Sequence, residues 1–250
     1  MTGTSIETGA WVRRFHPSPQ AETRLICFPH AGGSASYYFP VSRALAPAVE
    51  VLAIQYPGRQ DRRTERCVAD VRELADLVVA ELRAWTDRPM TLFGHSLGAT
   101  LAFEVALRLE AEDVTPLGLF ASGRRAPSCH REEYVHLSDD EGLIGTLKRM
   151  SGTDSQMLAD EEMLRMILPA VRSDYKAAET YRYRPGPGLR CPITALTGDD
   201  DPEVTIDEAR RWGEHTTGRF TLKIFPGGHF YLNEHAASVI QGISEHIAAR

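Results

Sequence analysis

Gly94-His95-Ser96-Leu97-Gly98 decides how the rest of the chain is read. A short apolar run, residues 90–93, precedes it, and an apolar helical pattern, residues 97–109, follows. That context is strand, sharp turn, helix. A serine at the tip of such a turn is thrown out of the sheet into a cleft, and the flanking glycines remove side chains that would collide there. Two glycines and a serine at this spacing arise by chance in roughly one chain in ten of this length, so the pentapeptide alone decides little. Its weight comes from the strand before it and the helix after it.

Working outward toward the N-terminus, residues 24–28 read as a buried strand that runs into the glycine-rich turn Pro29-His30-Ala31-Gly32-Gly33-Ser34. A helical stretch at 37–45, a strand at 49–54 and an arginine-rich loop at 59–66 follow. Asp70 opens a helix with Val71, Leu74, Val78, Leu82 and Trp85 on one face. Residues 11–15 are expected to form a first edge strand. Beyond the pentapeptide comes a strand at 117–121. Strand and helix therefore alternate with short connections, the pattern of a mostly parallel sheet with helices on both faces.

The alternation then stops. Residues 125–189 contain no convincing strand. Ser138-Asp139-Asp140-Glu141 reads as a capping box opening a helix that carries Leu143, Leu147 and Met150. A second helix is expected from about residue 160 toward Tyr175, kinked at Pro169, and Pro185-Gly186-Pro187-Gly188 closes the segment. The sheet pattern resumes with strands at 193–196 and 221–225, a helix at 207–215 between them, and a final helix bearing Ala236, Ile240, Ile243 and Ile247. The chain is thus expected to be a single domain over residues 1–250, with a helical insertion at about 125–189. In open sheets of this kind the ligand crevice lies at the carboxyl ends of the strands, so the insertion is expected to act as a lid.

Composition narrows the function. The 250 residues are 42% apolar and 25% charged, ordinary for a globular protein, and the net charge of −6 lacks the basic stripe of a nucleic-acid binder. No apolar run reaches the roughly 18 residues of a membrane span. The first ten residues lack the apolar core of a signal peptide, so a cytoplasmic location is expected. Cys27, Cys67, Cys129 and Cys191 are scattered without metal-ligand spacing and are expected to be free thiols. No phosphate-cradling loop or dinucleotide fingerprint is present, and no cofactor or metal is expected.

A serine hydroxyl needs a base to take its proton and an acid to hold that base in the right tautomer. Ser96 is the candidate nucleophile. Among nine histidines, His229 lies in a glycine-rich loop just past the last strand and is the candidate base. Three aspartates, Asp199, Asp200 and Asp201, follow the strand before it; Asp201, next to Pro202, is the expected acid and the other two are expected to form the turn. Residues 122–125 offer no carboxylate, which favours the later position for the acid. The order serine, acid, histidine on a strand–turn–helix elbow is that of the α/β-hydrolase fold. The backbone amides of Leu97 and Ala31 are the expected oxyanion donors. A carboxylesterase or lipase of small esters would present the same features, whereas an intact serine, aspartate and histidine set argues against a non-catalytic binding module of the same fold.

Phe28-Pro29-His30-Ala31-Gly32-Gly33-Ser34, Tyr56-Pro57-Gly58-Arg59, the pentapeptide, Ser122-Gly123-Arg124-Arg125-Ala126-Pro127 and Gly227-Gly228-His229-Phe230 together resemble the type II thioesterases, free-standing partners of polyketide and nonribosomal peptide synthases. The resemblance implies removal of stalled or aberrant acyl groups from the phosphopantetheine arm of a carrier protein. It carries over Ser96, Asp201 and His229 as the triad, with Ala31 and Leu97 as oxyanion donors. It requires no cofactor beyond the arm that the partner brings. The methionine-rich insertion fits an acyl chamber lined by Met150, Met163 and Ile167, or simply a helix buried on two sides. Arg59, Arg62, Arg63, Arg66, Arg124 and Arg125 are expected either to meet an acidic carrier or to pair with Asp61, Glu65 and Asp70 on a solvated face.

Overall fold

The computed structural model describes residues 10–151 and 161–249. Strands β1 (Val12–Arg13), β2 (Arg24–Phe28), β3 (Glu50–Ile54), β4 (Met90–His95), β5 (Gly118–Ser122), β6 (Ile193–Gly198) and β7 (Phe220–Phe225) form one sheet in the order β1-β3-β2-β4-β5-β6-β7. Only β1 is antiparallel. Every residue of β2, β3, β4 and β5 is buried, as befits strands covered on both faces.

Side chains alternate between two cores because the strand period is two. Ile26, Phe28, Leu52 and Leu92 pack against α2 (Val71–Leu82) and α3 (Leu97–Ala111). Leu25, Cys27, Val51 and Phe93 pack on the other face with α1 (Phe39–Leu45) and α8 (Ala236–Ala248). Asp70 caps α2, its carboxylate accepting the amides of Arg72 and Glu73 at 2.8 and 2.9 Å.

The chain runs from β2 outward to β3, then returns to place β4 on the other side of β2. The order reverses there, and a crevice opens at the strand ends. Phe28 pairs with Gly94, so the glycine-rich turn after β2 and the pentapeptide leave the sheet at the same level.

Between β5 and β6 lie α4 (Asp140–Ser151) and α5 (Glu161–Thr180). They share a small apolar cluster of their own, Leu143, Ile144, Leu164, Leu168 and Val171. Four expectations change. The edge strand shrinks to Val12–Arg13. Asp139, not Ser138, caps α4, because its carboxylate accepts the Gly142 amide at 2.8 Å. Helix α5 extends past Tyr175 to Thr180, with Pro169 inside it. The helix expected at 207–215 divides into α6 (Ile206–Arg210), opened by a capping box of Thr205 and Glu208, and a 3-10 turn over Arg211–His215. A short α7 (Tyr231–Glu234) follows the loop that carries His229. Cys27, Cys67, Cys129 and Cys191 are free. No helix among the described residues is long and apolar enough to cross a membrane.

Candidate active site

Ser96 sits between β4 and α3 with φ 54° and ψ −120°, a conformation that L-residues avoid. The neighbouring glycines make it possible. A Cβ on Gly94 would stand 2.1 Å from the Gly98 carbonyl oxygen, and one on Gly98 would stand 2.1 Å from that of Phe28. The turn is therefore pressed against both its own helix and the end of β2.

His229 lies after β7 and Asp201 after β6. The His229 Nδ1 is 3.0 Å from each Asp201 carboxylate oxygen, and the two side chains are 1% and 0% exposed. The structure thus brings Asp201 to the histidine. Asp199 instead accepts the Gly227 amide at 2.9 Å and shapes the turn, while the Asp200 amide donates to the Gly227 carbonyl at 3.0 Å. With Nδ1–H donated to a carboxylate, the lone pair of His229 rests on Nε2. That atom is buried and has no hydrogen-bond partner among the described residues.

Ser96, Leu97, Ala31 and His229 line one cavity of about 390 Å³. Its far walls come from α4 and α5 through Leu147, Met150, Ile167, Val171 and Tyr175. Arg124, Glu133, Glu179 and Glu203 add a polar side. Met150 and Ile167 therefore stand where an acyl chamber was expected. The Met163 side chain lies outside the described residues. Met166 is 71% exposed and faces solvent. The Leu97 amide belongs to the first turn of α3, where N–H groups lack intrahelical partners and favour negative charge.

Two further histidines crowd the site, and no local spacing in the chain announces their grouping. His95 is fully buried at the end of β4; its Nδ1 is 2.9 Å from the Ser122 hydroxyl, which is 2.6 Å from the Tyr231 hydroxyl. The rings of His95 and His229 are 4.9 Å apart, and those of His30 and His95 6.0 Å. Burial, then His229 and His30, hold His95 well below its ordinary pKa. Burial, then His229 and Arg59, press His30 down to about 3. Both rings are neutral at pH 7, so neither places a fixed positive charge beside His229.

The arginines do not form the exposed patch envisaged. Arg59, Arg62 and Arg125 are buried. Arg59 pairs with Asp174 at 2.8 Å, Arg62 with Glu65 at 2.6 Å, and Arg125 with Glu133. Arg124 lines the cavity, and burial lowers its pKa to about 10. Of the loop after β3, Arg63 and Arg66 remain exposed. Asp61 pairs with Arg13 of β1 rather than with an arginine of its own loop.

A thioesterase-domain family model matches residues 23–247. A "Probable cadicidin biosynthesis thioesterase" from Streptomyces griseus is 53% identical over 97% of this chain and 67% of its own length. The thioesterase PikA5 of Streptomyces venezuelae is 51% identical over 97% of this chain and 87% of its own. Among solved structures, the type II thioesterase BorB from the borrelidin biosynthetic cluster superposes with a TM-score of 0.93 at 55% identity, covering 97% of this chain and 99% of that one. With the family model spanning nearly the whole sheet and relatives of this similarity, the chain belongs to the thioesterase family.

Proposed function

We propose that this chain is an editing thioester hydrolase, which frees stalled or aberrant acyl groups from the phosphopantetheine arm of carrier proteins in polyketide or nonribosomal peptide assembly. The observation that carries the chemistry is the His229 imidazole. It is clamped through Nδ1 by Asp201, with an Nε2 that has no partner among the described residues, in a cavity that Ser96 also lines.

In this reading Nε2 takes the Ser96 hydroxyl proton as the oxygen attacks the thioester carbonyl. The amides of Ala31 and Leu97 stabilise the oxyanion. Collapse breaks the C–S bond, and His229 returns the proton to the pantetheine sulfur, which leaves as a thiol. Water, deprotonated by the same Nε2, then attacks the acyl-serine; the acid leaves and Ser96 recovers its proton. The arm arrives with the carrier, so the chain needs no group of its own. Helices α4 and α5 serve as the lid.

About 390 Å³ lies within the range of ligand pockets, roughly 300–1,000 Å³, and has room for a short acyl group. The test is unloading of a carrier charged with acyl groups of graded length, wild type against Ser96→Ala, beside matched oxygen esters. The expected result is carrier unloading by the wild type and a loss of at least about a thousandfold in the variant. An active Ser96→Ala variant, or a strong preference for oxygen esters, overturns the reading.

A further inference from the structure

The turn that carries Ala31 is gripped from outside the sheet by one carboxylate. Asp174 lies on α5 and is 1% exposed. Its Oδ2 accepts the Gly32 amide at 2.8 Å and the Arg59 Nη1 at 2.8 Å; its Oδ1 accepts the Arg59 Nη2 at 2.8 Å. Arg59 Nη1 also donates to the Gly33 carbonyl at 2.9 Å. The carboxylate thus holds the turn by an N–H while its partner guanidinium holds it by the next carbonyl. The guanidinium lies 5.0 Å from the Tyr56 ring centroid, and the Tyr56 hydroxyl donates to the Pro29 carbonyl at 3.1 Å.

The same helix touches the same turn sterically. Gly32 has φ +75°, and a Cβ there would stand 2.9 Å from the Val171 Cγ2. Val171 and Asp174 are neighbours on one face of α5, one turn apart. Val171, Ile167 and Tyr175 of that helix also line the acyl cavity.

Peptide units are planar, so capturing the Gly32 N–H fixes the plane it shares with the Ala31 carbonyl. The preceding plane, which carries the Ala31 N–H, can then turn only about the two dihedrals of Ala31. We infer that Asp174, backed by Arg59, is a positioning residue of the oxyanion hole. Through it, the helix that walls the acyl cavity makes stabilisation of the tetrahedral intermediate conditional on its own seating. The inference rests on the serine-hydrolase reading, with Ala31 as a donor. Stability alone is a poor account of the arrangement: burying two charges is costly, and a well-packed apolar pair commonly does as well. An apolar pair cannot hold the Gly32 amide.

The experiment compares wild type, Asp174→Leu and the double variant Asp174→Leu/Arg59→Met, which both remove the acceptor for the Gly32 amide; the double variant also removes both charges and so leaves none unpaired. Thioester turnover is normalised to active sites counted by exhaustive labelling with a fluorophosphonate. Inhibition by an acyl trifluoromethyl ketone, which forms a tetrahedral oxyanion adduct on the serine, is measured alongside. The expected result in both variants is a fall in kcat per labelled site of about 10- to 100-fold, less than the ~10²–10³ lost when an oxyanion donor is deleted. KM stays within about threefold, and the ketone weakens in parallel with kcat. Wild-type kcat per labelled site with unchanged ketone inhibition, in whichever variant folds, overturns the inference alone. A wild-type protein that neither labels at Ser96 nor cleaves the thioester overturns the reading of the site, and the inference with it.

Discussion

Acid should loosen this fold through two histidines that are not expected to do chemistry. An unfolded chain binds a proton on each histidine near pH 6.5, whereas His95 is held far below that value and His30 at about 3. Both folded-state values are depressed, so the stability is fully present above pH 6.5 and is lost as pH falls toward the folded values. Below pH 6.5 the unfolded state binds the extra protons, and each histidine removes about 1.4 kcal/mol per pH unit. At pH 5.0 that amounts to about 2 kcal/mol each, at most about 4 together, against total stabilities of ~5–15 kcal/mol. His95 is the firmer half, since its side chain has no exposure, whereas His30 is half-buried at the cavity wall. The assay is urea unfolding at pH 7.5, 6.0 and 5.0 for wild type and His95→Asn, a polar neutral side chain of smaller size. The expected result is a falling unfolding free energy in the wild type and a smaller fall in the variant, the remainder coming from His30 and from His215 and His246, whose pKa values burial also lowers. An unfolding free energy flat between pH 7.5 and 5.0, or an undiminished fall in His95→Asn, would refute the reasoning.

Asp201→Asn should leave the fold intact and lower kcat by about 10⁴, because the amide favours the wrong tautomer of His229; steady-state thioester turnover with a circular dichroism control checks it. Gly98→Ala places a Cβ 2.1 Å from a backbone oxygen that cannot swing aside, and should destabilise by about 3 kcal/mol or more, read from the thermal midpoint. Ile167→Trp should fill part of the cavity and shift preference toward shorter acyl groups, seen as a lower ratio of kcat/KM for octanoyl over acetyl thioesters.

Local patterns made the elements legible. The run Leu25-Ile26-Cys27-Phe28 and the strand before Gly94 read as buried strands because central parallel strands are apolar on both faces. Ser96, His229 and Asp201 stood out for a related reason: each lies in a turn at a strand end, where local spacing is informative. What escaped was pairing over distance. Arg59 and Asp174 are 115 residues apart, and nothing in either neighbourhood names the other. An arginine-rich loop looks solvated until the fold shows that Arg59 and Arg62 turn inward. The chain between His95, Ser122 and Tyr231 joins three separate elements and is equally silent in one dimension. Capping was off by one residue at Asp139 because adjacent serine and aspartate compete for the same role.

The apolar cluster shared by α4 and α5 has a consequence for how this architecture diversifies. Ser96, Asp201 and His229 are anchored to strand ends rooted in the two cores of the sheet, whereas Leu143, Ile144, Leu164, Leu168 and Val171 form a third, detached one. Substitutions at Leu143, Ile144, Leu164 and Leu168 are therefore absorbed within that cluster, whereas Val171, which meets Gly32, transmits a change to the turn below. In the proposed reaction the chamber can be recut through those four positions for another acyl shape while Ser96, Asp201 and His229 beneath keep their register.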